Sequence, residues 1–325
     1  MSKYSLRRCE DTETWDRFVA SSPHGSVFCR SWLLGALCET AELWLLEDAA
    51  GRVVAGVPIL VRDGAPLPAP YPYTIYQGPM LAPKCVELPP HRRYSVIVKV
   101  LEALIIQLAD RYGSYSFSLH HAHDDLRALQ WHNYGAAGLP QFQLKPQYTG
   151  LLDLRKALEF STWLRSVRDC RRQEFKKAAA TGLSVRTSTD YALLNRLHAL
   201  TFGRQGLERS DEHGRLIERV AKCAQDLGSG EMLLCETADG RPCSAILFLW
   251  HGDTAYYLIG ANDPDCRQLG AGTFLMLKGI ERLAASGFAE LDVVGVNSPR
   301  RGDFKLSFNA VPRLYFDAEL APVRR

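Results

Sequence analysis

No apolar run in the 325-residue sequence is long enough to cross a bilayer; the longest candidates are broken by charge or glycine. The first eight residues carry no apolar core of the kind a secretory leader needs. No membrane span is therefore expected, and a cytoplasmic location is. Nine cysteines include no Cys-x-x-Cys pair and no zinc-finger spacing, and their odd number argues against a disulfide framework. They read as reduced thiols, and none stands in a recognisable Cys/His nucleophile setting. Charge of one sign is lacking too: 39 Lys and Arg stand against 36 Asp and Glu, a formal +3. Such a balance announces no nucleic-acid binder, so any basic patch must be local, and no DNA partner is expected. One cluster, His120-His121-Ala122-His123-Asp124-Asp125, offers metal-ligand chemistry. Neighbours on a strand point to opposite faces, however, and no helical His-x-x-x-His pair is present. A strand end and polar loop leading to Trp131 and Tyr134 is expected there, with no metal.

What is present is a full core: 46% of residues are hydrophobic and 23% charged, in a chain long enough for two domains. Periodicity predicts helices over 15–19 and 31–38, then strands over 43–47 and 53–61 joined as a hairpin. A proline-rich loop over 66–72, a strand over 73–76, a helix over 94–112 and a strand over 115–119 follow. In that helix Ile97, Leu101, Leu104, Ile105 and Leu108 form one apolar face. The second half repeats the order: helices over 191–202 and 216–227, a hairpin of 232–236 and 243–250, a strand over 255–259, a helix over 273–286 and a strand over 288–294. The two hairpins align at a single offset, Glu47 with Glu236, Ala49 with Ala238, Gly51 with Gly240 and Arg52 with Arg241, each 189 residues apart (236 − 47). A duplicated α/β unit with a mixed sheet is expected.

Between the halves, the pattern from Ser161 to Gly182 predicts one helix. Arg165, Arg168, Arg172 and Lys176 would share a face, which a solvated surface also explains. Arg171 falls among Leu164, Val167, Phe175 and Ala178, where a free charge is costly, so a partner anion or carboxylate is expected. In the second half, Arg267-Gln268-Leu269-Gly270-Ala271-Gly272 sits between a strand and a helix start. Backbone N–H groups and the helix dipole favour an anion at such a place, and a glycine admits close approach. A glycine-softened helix entry is the plainer alternative.

The sequence Arg-x-x-Gly-x-Gly resembles the pyrophosphate loop of the GNAT acyltransferases. The wider layout resembles the Fem family of aminoacyl transferases and their FemAB-like acetyltransferase relatives. The likeness rests on Trp15-x-x-Phe18, Gly25-Ser26-Val27-Phe28 with Trp32, and Tyr73-x-x-Tyr76-Gln77-Gly78-Pro79. It continues through Arg168-x-x-Arg171-Arg172, Lys176-Lys177-Ala178, Gly182-Leu183, Tyr256-Tyr257-Leu258, the glycine loop, Gly287-Phe288 and Phe304-Lys305-x-x-Phe308. Asn309 stands where the family often has glycine, and tolerates a left-handed backbone better than most residues. Asp292-Val293-Val294-Gly295 stands where relatives have an Asp-Phe-x-Gly-like strand end.

The resemblance implies an α/β (α+β) fold of two tandem GNAT-like units, each a mixed sheet flanked by helices, with a central cleft. Residues 1–150 would form the acceptor unit, which lacks a donor loop. Residues 151–325 would form the donor unit, with the last strand region placed where it can pack on the first. The expected activity is N-acyl transfer to an amine from aminoacyl-tRNA or acyl-CoA, without a tightly bound cofactor, a metal or a covalent enzyme intermediate. The acceptor would be a cell-envelope precursor, a polysaccharide amino sugar or a metabolite, and tRNA is a candidate partner. Lys305 is the candidate for carbonyl or phosphate stabilisation, and Tyr257 stands on the strand where a catalytic group belongs. Donor contacts fall to Arg267, Gln268, Gly270, Ala271 and Gly272. Substrate contacts fall to Tyr73, Tyr76, Gln77, Arg168, Arg171, Arg172 and Arg301. Without the resemblance, Lys305 reads as a surface lysine and the three first-unit residues as core packing. A non-catalytic GNAT-like module binding a peptide or glycolipid head group is the competing expectation.

Overall fold

A computed structural model describes residues 3–203 and 210–321. The chain divides into two units, residues 1–147 with 314–325, and residues 148–313.

In the first unit, β1 (Tyr4–Arg8) leads to α1 (Thr12–Ser21), whose N-cap Asp11 accepts from Glu13 N and Thr14 N at 3.2 and 3.0 Å. The short α2 (Ser31–Leu37) is held at its start by Asp16, which accepts from Ser31 N and Oγ. Strands β2 (Thr40–Asp48) and β3 (Val53–Arg62) form the expected hairpin. Two short strands, β4 (Ala65–Pro66) and β5 (Met80–Leu81), both pair with β3, giving an antiparallel order β1-β2-β3-β4 with β5 alongside. After α3 (Pro83–Val86), the long α4 (Pro90–Tyr112) buries the predicted face from Ile97 to Leu108 and packs on β1 and β3. Then come β6 (Tyr115–Ser118), α5 (Arg127–Trp131) and β7 (Phe142–Asp153), which carries the chain into the second unit.

The strand expected over 73–76 is absent. Pro70 and Pro72 cannot donate to a ladder, and Tyr73 has φ +66°. The segment is tied to itself instead: Thr74 Oγ1 donates to Tyr71 O at 2.7 Å, and Gln77 Oε1 accepts from Tyr71 N at 3.2 Å.

In the second unit, α6 (Phe160–Trp163) and a 3-10 turn precede α7 (Asp169–Ala180). The single helix expected over 161–182 is thus broken. Val167 is buried and extended, and Arg168, also outside the helical region, donates its N–H to Ser307 O at 3.0 Å. Burial of Val167 and that bond outweigh helical continuity. As a result, Arg165 and Arg168 share no helical face with Arg172 and Lys176. Gly182, at φ +75°, follows the helix end as its spacing suggested.

Next come β8 (Ser184–Thr187), α8 (Tyr191–Gly203), α9 (Asp211–Asp226), β9 (Gly230–Glu236), β10 (Pro242–His251) and β11 (Thr254–Asn262). Helix α10 (Ala271–Ala285) connects β11 to β12 (Glu290–Asp292). These two strands are parallel and need such a crossover; the other pairs, β8–β9, β9–β10, β10–β11 and β12–β7, are antiparallel. Met276, Ile280, Leu283 and Ala284 of α10 are buried as expected. A last helix, α11 (Pro299–Leu306), was not foreseen, and β13 (Val311–Leu320) follows it. From Leu314 the chain belongs to the first unit, where Asp317 to Leu320 pair with Ser118 to Tyr115. Asn309 has φ +70°, so the left-handed turn is made without glycine.

The hairpin offset is structural as well as sequential. Strands β3 and β10 coincide end to end under the 189-residue shift. Their turns share one bond pattern. Asp48 N donates to Arg52 O and Gly51 N to Asp48 O; Thr237 N donates to Arg241 O and Gly240 N to Thr237 O. Gly51 and Gly240 both hold positive φ.

Gly230, at the start of β9, admits no side chain: a Cβ there would stand 2.5 Å from Phe248 O, a backbone atom of β10. Gly230→Ala is expected to lower unfolding stability by about 2 kcal/mol, read as a shifted denaturant midpoint with an unchanged slope.

Candidate active site

The chain leaves β12 in a turn that few residues tolerate. Val294 has φ +51° and Gly295 φ +48°. A β-branched residue in the left-handed region is an outlier, costing roughly 1–3 kcal/mol, and such strain clusters at functional sites. Several bonds hold it: Val293 N to Gly150 O at 2.9 Å, Val294 N to Asp292 Oδ1 at 2.8 Å and Val296 N to Tyr148 O at 3.1 Å. Helix α11 lies tightly on this turn, for a Cβ on Gly302 would meet Val296 O at 2.3 Å.

The turn presents the Val294 carbonyl to Lys305. That oxygen accepts from Lys305 Nζ, which stands 4.9 Å from the centroid of the Tyr257 ring. Lys305 is 9% exposed, so the surface-lysine alternative fails. Burial brings its pKa down to about 7, with Arg301 acting in the same direction and Asp292 opposing. Asp292 is buried and also accepts from the Thr149 hydroxyl. The Tyr257 ring lies over Gly260, where a Cβ would sit 1.6 Å from the tyrosine oxygen. Burial raises the Tyr257 pKa far above neutrality, so this phenol stays protonated and suits donation better than proton removal. A cation, a carboxylate and an aromatic ring therefore converge within the second unit.

On its other side α11 meets the start of α7. Arg168 pairs with Asp303 at 2.7 Å. Arg171 has the partners its position demanded: it stacks over Phe304 at 4.8 Å, donates to Ser307 Oγ at 3.0 Å and pairs with Glu174 at 2.7 Å. Arg172 is spent within its own helix, on Asp169 at 2.7 Å. Arg301 is exposed and donates to Ser298 Oγ at 3.1 Å. Beside these residues lies an open groove of about 400 Å³ lined by Tyr148, Asn297, Pro299, Gly302, Asp303 and Leu306, among others.

The glycine loop is a 3-10 turn over Pro264–Leu269 followed by Gly270 at φ +70°, the N-cap of α10. Arg267 and Gln268 are exposed, Ala271 is buried and Gly272 is half-buried. The first turn of α10 already meets an anion, because Thr273 Oγ1 donates to Glu174 Oε2 at 2.5 Å. A Cβ on Gly272 would meet Asn262 Oδ1 at 2.5 Å, and one on Gly270 would stand 3.3 Å from Glu174 O. The close approach that these glycines permit is made by the protein itself.

The residues expected to face the acceptor from the first unit are placed differently. Tyr76 and Gln77 are buried, so core packing describes them; Tyr73 is half-exposed. Tyr76 packs edge-on against Phe28 and Tyr315 and against His120 at 4.5 Å. His24 and His123 stack at 3.9 Å, and burial lowers the His123 pKa to about 4. Among the described residues, no group of three or more His, Cys, Asp or Glu is arranged to hold a metal, and no helix is long and apolar enough to cross a membrane.

Sequence reasoning passed over Thr149, Glu174 and Asn262 and quoted Asp292 only as a strand end. Helical spacing could have flagged Glu174, three residues after Arg171. Thr149 and Asn262 carried no local signal, since they act through residues distant in sequence.

Residues 165–305 match the family model of an acetyltransferase (GNAT) domain. Among solved structures, FemX is similar at a TM-score of 0.68 and 15% identity, with 96% of each chain covered. A tandem GNAT protein from the clavulanic acid biosynthesis pathway is similar at 0.54 and 14% identity, over 99% of this chain and 100% of that one. The C-terminal domain of a putative lysylphosphatidylglycerol synthetase from Agrobacterium fabrum follows at 0.53 and 12%, over 96% and 92%. No curated protein matches the chain.

Lys305 carries a pH signature. Its pKa of about 7 in the fold lies below the 10.5 of an unperturbed lysine. Between those values the unfolded chain binds the extra proton, so this residue makes stability rise with pH. Below about 7 both states are protonated and the buried charge weighs fully against folding. Lys305→Met should therefore stabilise the protein most below pH 7, with the gain shrinking towards pH 10, as denaturant titrations across that range will show.

Proposed function

We propose that the protein is an N-acyltransferase acting on an amine, a reading supported by the match of residues 165–305 to the acetyltransferase (GNAT) domain model and by the fold shared with FemX and a tandem GNAT protein. The observation carrying this is the buried Lys305, held by the Val294 carbonyl over Tyr257. As the acceptor nitrogen attacks the donor carbonyl, negative charge builds on the carbonyl oxygen. A desolvated ammonium aimed at that oxygen stabilises it far more than it would in water. The C–N bond forms as the bond from carbonyl carbon to the donor's oxygen or sulfur breaks. The amine gives its proton to water or to the departing group.

Of the two donor classes, we favour aminoacyl-tRNA. Glu174 bonds the Thr273 hydroxyl in the first turn of α10 and Asn262 lies against Gly272, so the protein's own side chains crowd the seat that an acyl-CoA diphosphate would take. The exposed Arg267 and Gln268, with Gly270, Ala271 and Gly272 shaping the turn behind them, would then touch donor phosphates from outside. The exposed Arg168 and Arg301 would follow an RNA backbone, Arg172 would join them only by leaving Asp169, and Arg171 would orient α11 through Phe304 and Ser307. The groove beside α11, with Tyr148 at its wall, suits a small-molecule or glycopeptide amine. Of the three first-unit residues expected to touch the acceptor, Tyr73 is the half-exposed one. Tyr76 and Gln77 would shape its surroundings.

The test is a donor screen read by the mass change of candidate amines, with charged tRNA and acyl-CoA as alternatives. Transfer from charged tRNA that RNase abolishes is expected, with Lys305→Met lowering kcat/KM about 100-fold. Transfer from acyl-CoA that survives RNase would reassign the donor. Ligand binding without transfer by either protein would favour the binding-module alternative.

A further inference from the structure

Two thiols lie side by side beneath the turn that leads into the glycine loop. Cys243 is near the start of β10, Cys266 is in the 3-10 turn over Pro264–Leu269, and their Sγ atoms are 2.7 Å apart. Ordinary non-bonded heavy atoms settle about 3.5–4.0 Å apart, so these sulfurs are already pressed together. The surrounding backbone keeps them so. Asp263 N donates to Cys243 O at 2.9 Å, Cys266 N donates to Asp263 O at 3.2 Å, and Arg241 ties the turn down by bonding Asp263 at 2.9 Å and Asp265 at 3.3 Å. A disulfide has its sulfurs about 2.05 Å apart, so less than one ångström of further approach would join the pair.

We propose that Cys243 and Cys266 are a reversible oxidation site, forming a disulfide by exchange with a low-molecular-weight disulfide such as oxidised glutathione. The Cys266 sulfur attacks one sulfur of the oxidant and releases the first free thiol. Cys243 then attacks the Cys266 sulfur of the mixed disulfide and releases the second. Two protein thiols lose two hydrogens and two electrons; the oxidant gains both as two thiols. Cys266 reacts first because it lies in a turn flanked by exposed Asp265, Arg267 and Gln268, whereas Cys243 is fixed in the sheet. Both thiols are at most 2% exposed, so local opening of the turn gates the reaction. Burial together with Cys266 pushes the Cys243 thiol well above the usual range, which likewise slows attack until the turn opens. Once made, the bond anchors the turn to β10 and restrains Arg267 and Gln268. This inference does not depend on the acyl-transfer assignment.

The experiment treats the full-length protein with excess oxidised glutathione, blocks remaining thiols, and maps cross-linked peptides by mass spectrometry without reduction. A Cys243–Cys266 peptide pair, released by dithiothreitol, is expected, along with slower amide exchange over 265–270 in the oxidised protein. Cys235, on neighbouring β9, is the competing partner, so Cys235→Ala should preserve the cross-link. Cys243→Ser should abolish it and leave Cys266 as a glutathione adduct. If Cys243→Ser fails to fold, the map of the native chain decides alone. Recovery of both thiols free, adducts confined to exposed Cys170, or a bridge to Cys235 would overturn the proposal.

Discussion

A single buried ammonium organises the second unit. Lys305 cannot stay charged in an apolar interior without compensation. It obtains that compensation from the Val294 carbonyl, the Tyr257 ring and the nearby Asp292 carboxylate. To offer its carbonyl, Val294 takes a backbone conformation that a β-branched residue normally avoids. To admit α11, residue 302 must lack a side chain, and to admit the tyrosine ring, residue 260 must too. The strain is concentrated at the carbonyl that holds the buried charge.

The same helix couples this centre to α7. Phe304 and Ser307 engage Arg171, Asp303 engages Arg168, and Arg171 in turn pairs with Glu174, whose carboxylate bonds the first turn of α10. One chain of contacts thus runs from the lysine helix to the glycine loop. At the start of α10 the Glu174 carboxylate engages the Thr273 hydroxyl.

Much of the fold was legible locally. The α4 face, the two hairpins and the buried side of α10 follow from period and turn chemistry, and these depend only on near neighbours. The failures share a cause. The strand expected at 73–76 lost to two prolines and to side-chain bonds within its own loop. The helix expected at 161–182 broke where burying Val167 and bonding to Ser307 mattered more than continuity. Helix α11 is short and polar, and it earns its place through packing against a turn six residues away.

For the candidate site, residue identity alone put Lys305, Tyr257 and Arg171 forward. A lysine in the family's Phe-Lys position, a tyrosine on the right strand and an arginine among apolar neighbours are all features of the linear chain. Their surroundings were not. The drop in the Lys305 pKa comes from desolvation, and burial exists only once distant segments close over the side chain. The roles of Thr149, Asn262 and Glu174, and the meeting of Cys243 with Cys266, are likewise products of tertiary packing. Amino-acid order determined which groups could do chemistry; three-dimensional proximity decided which of them are charged, paired or covered.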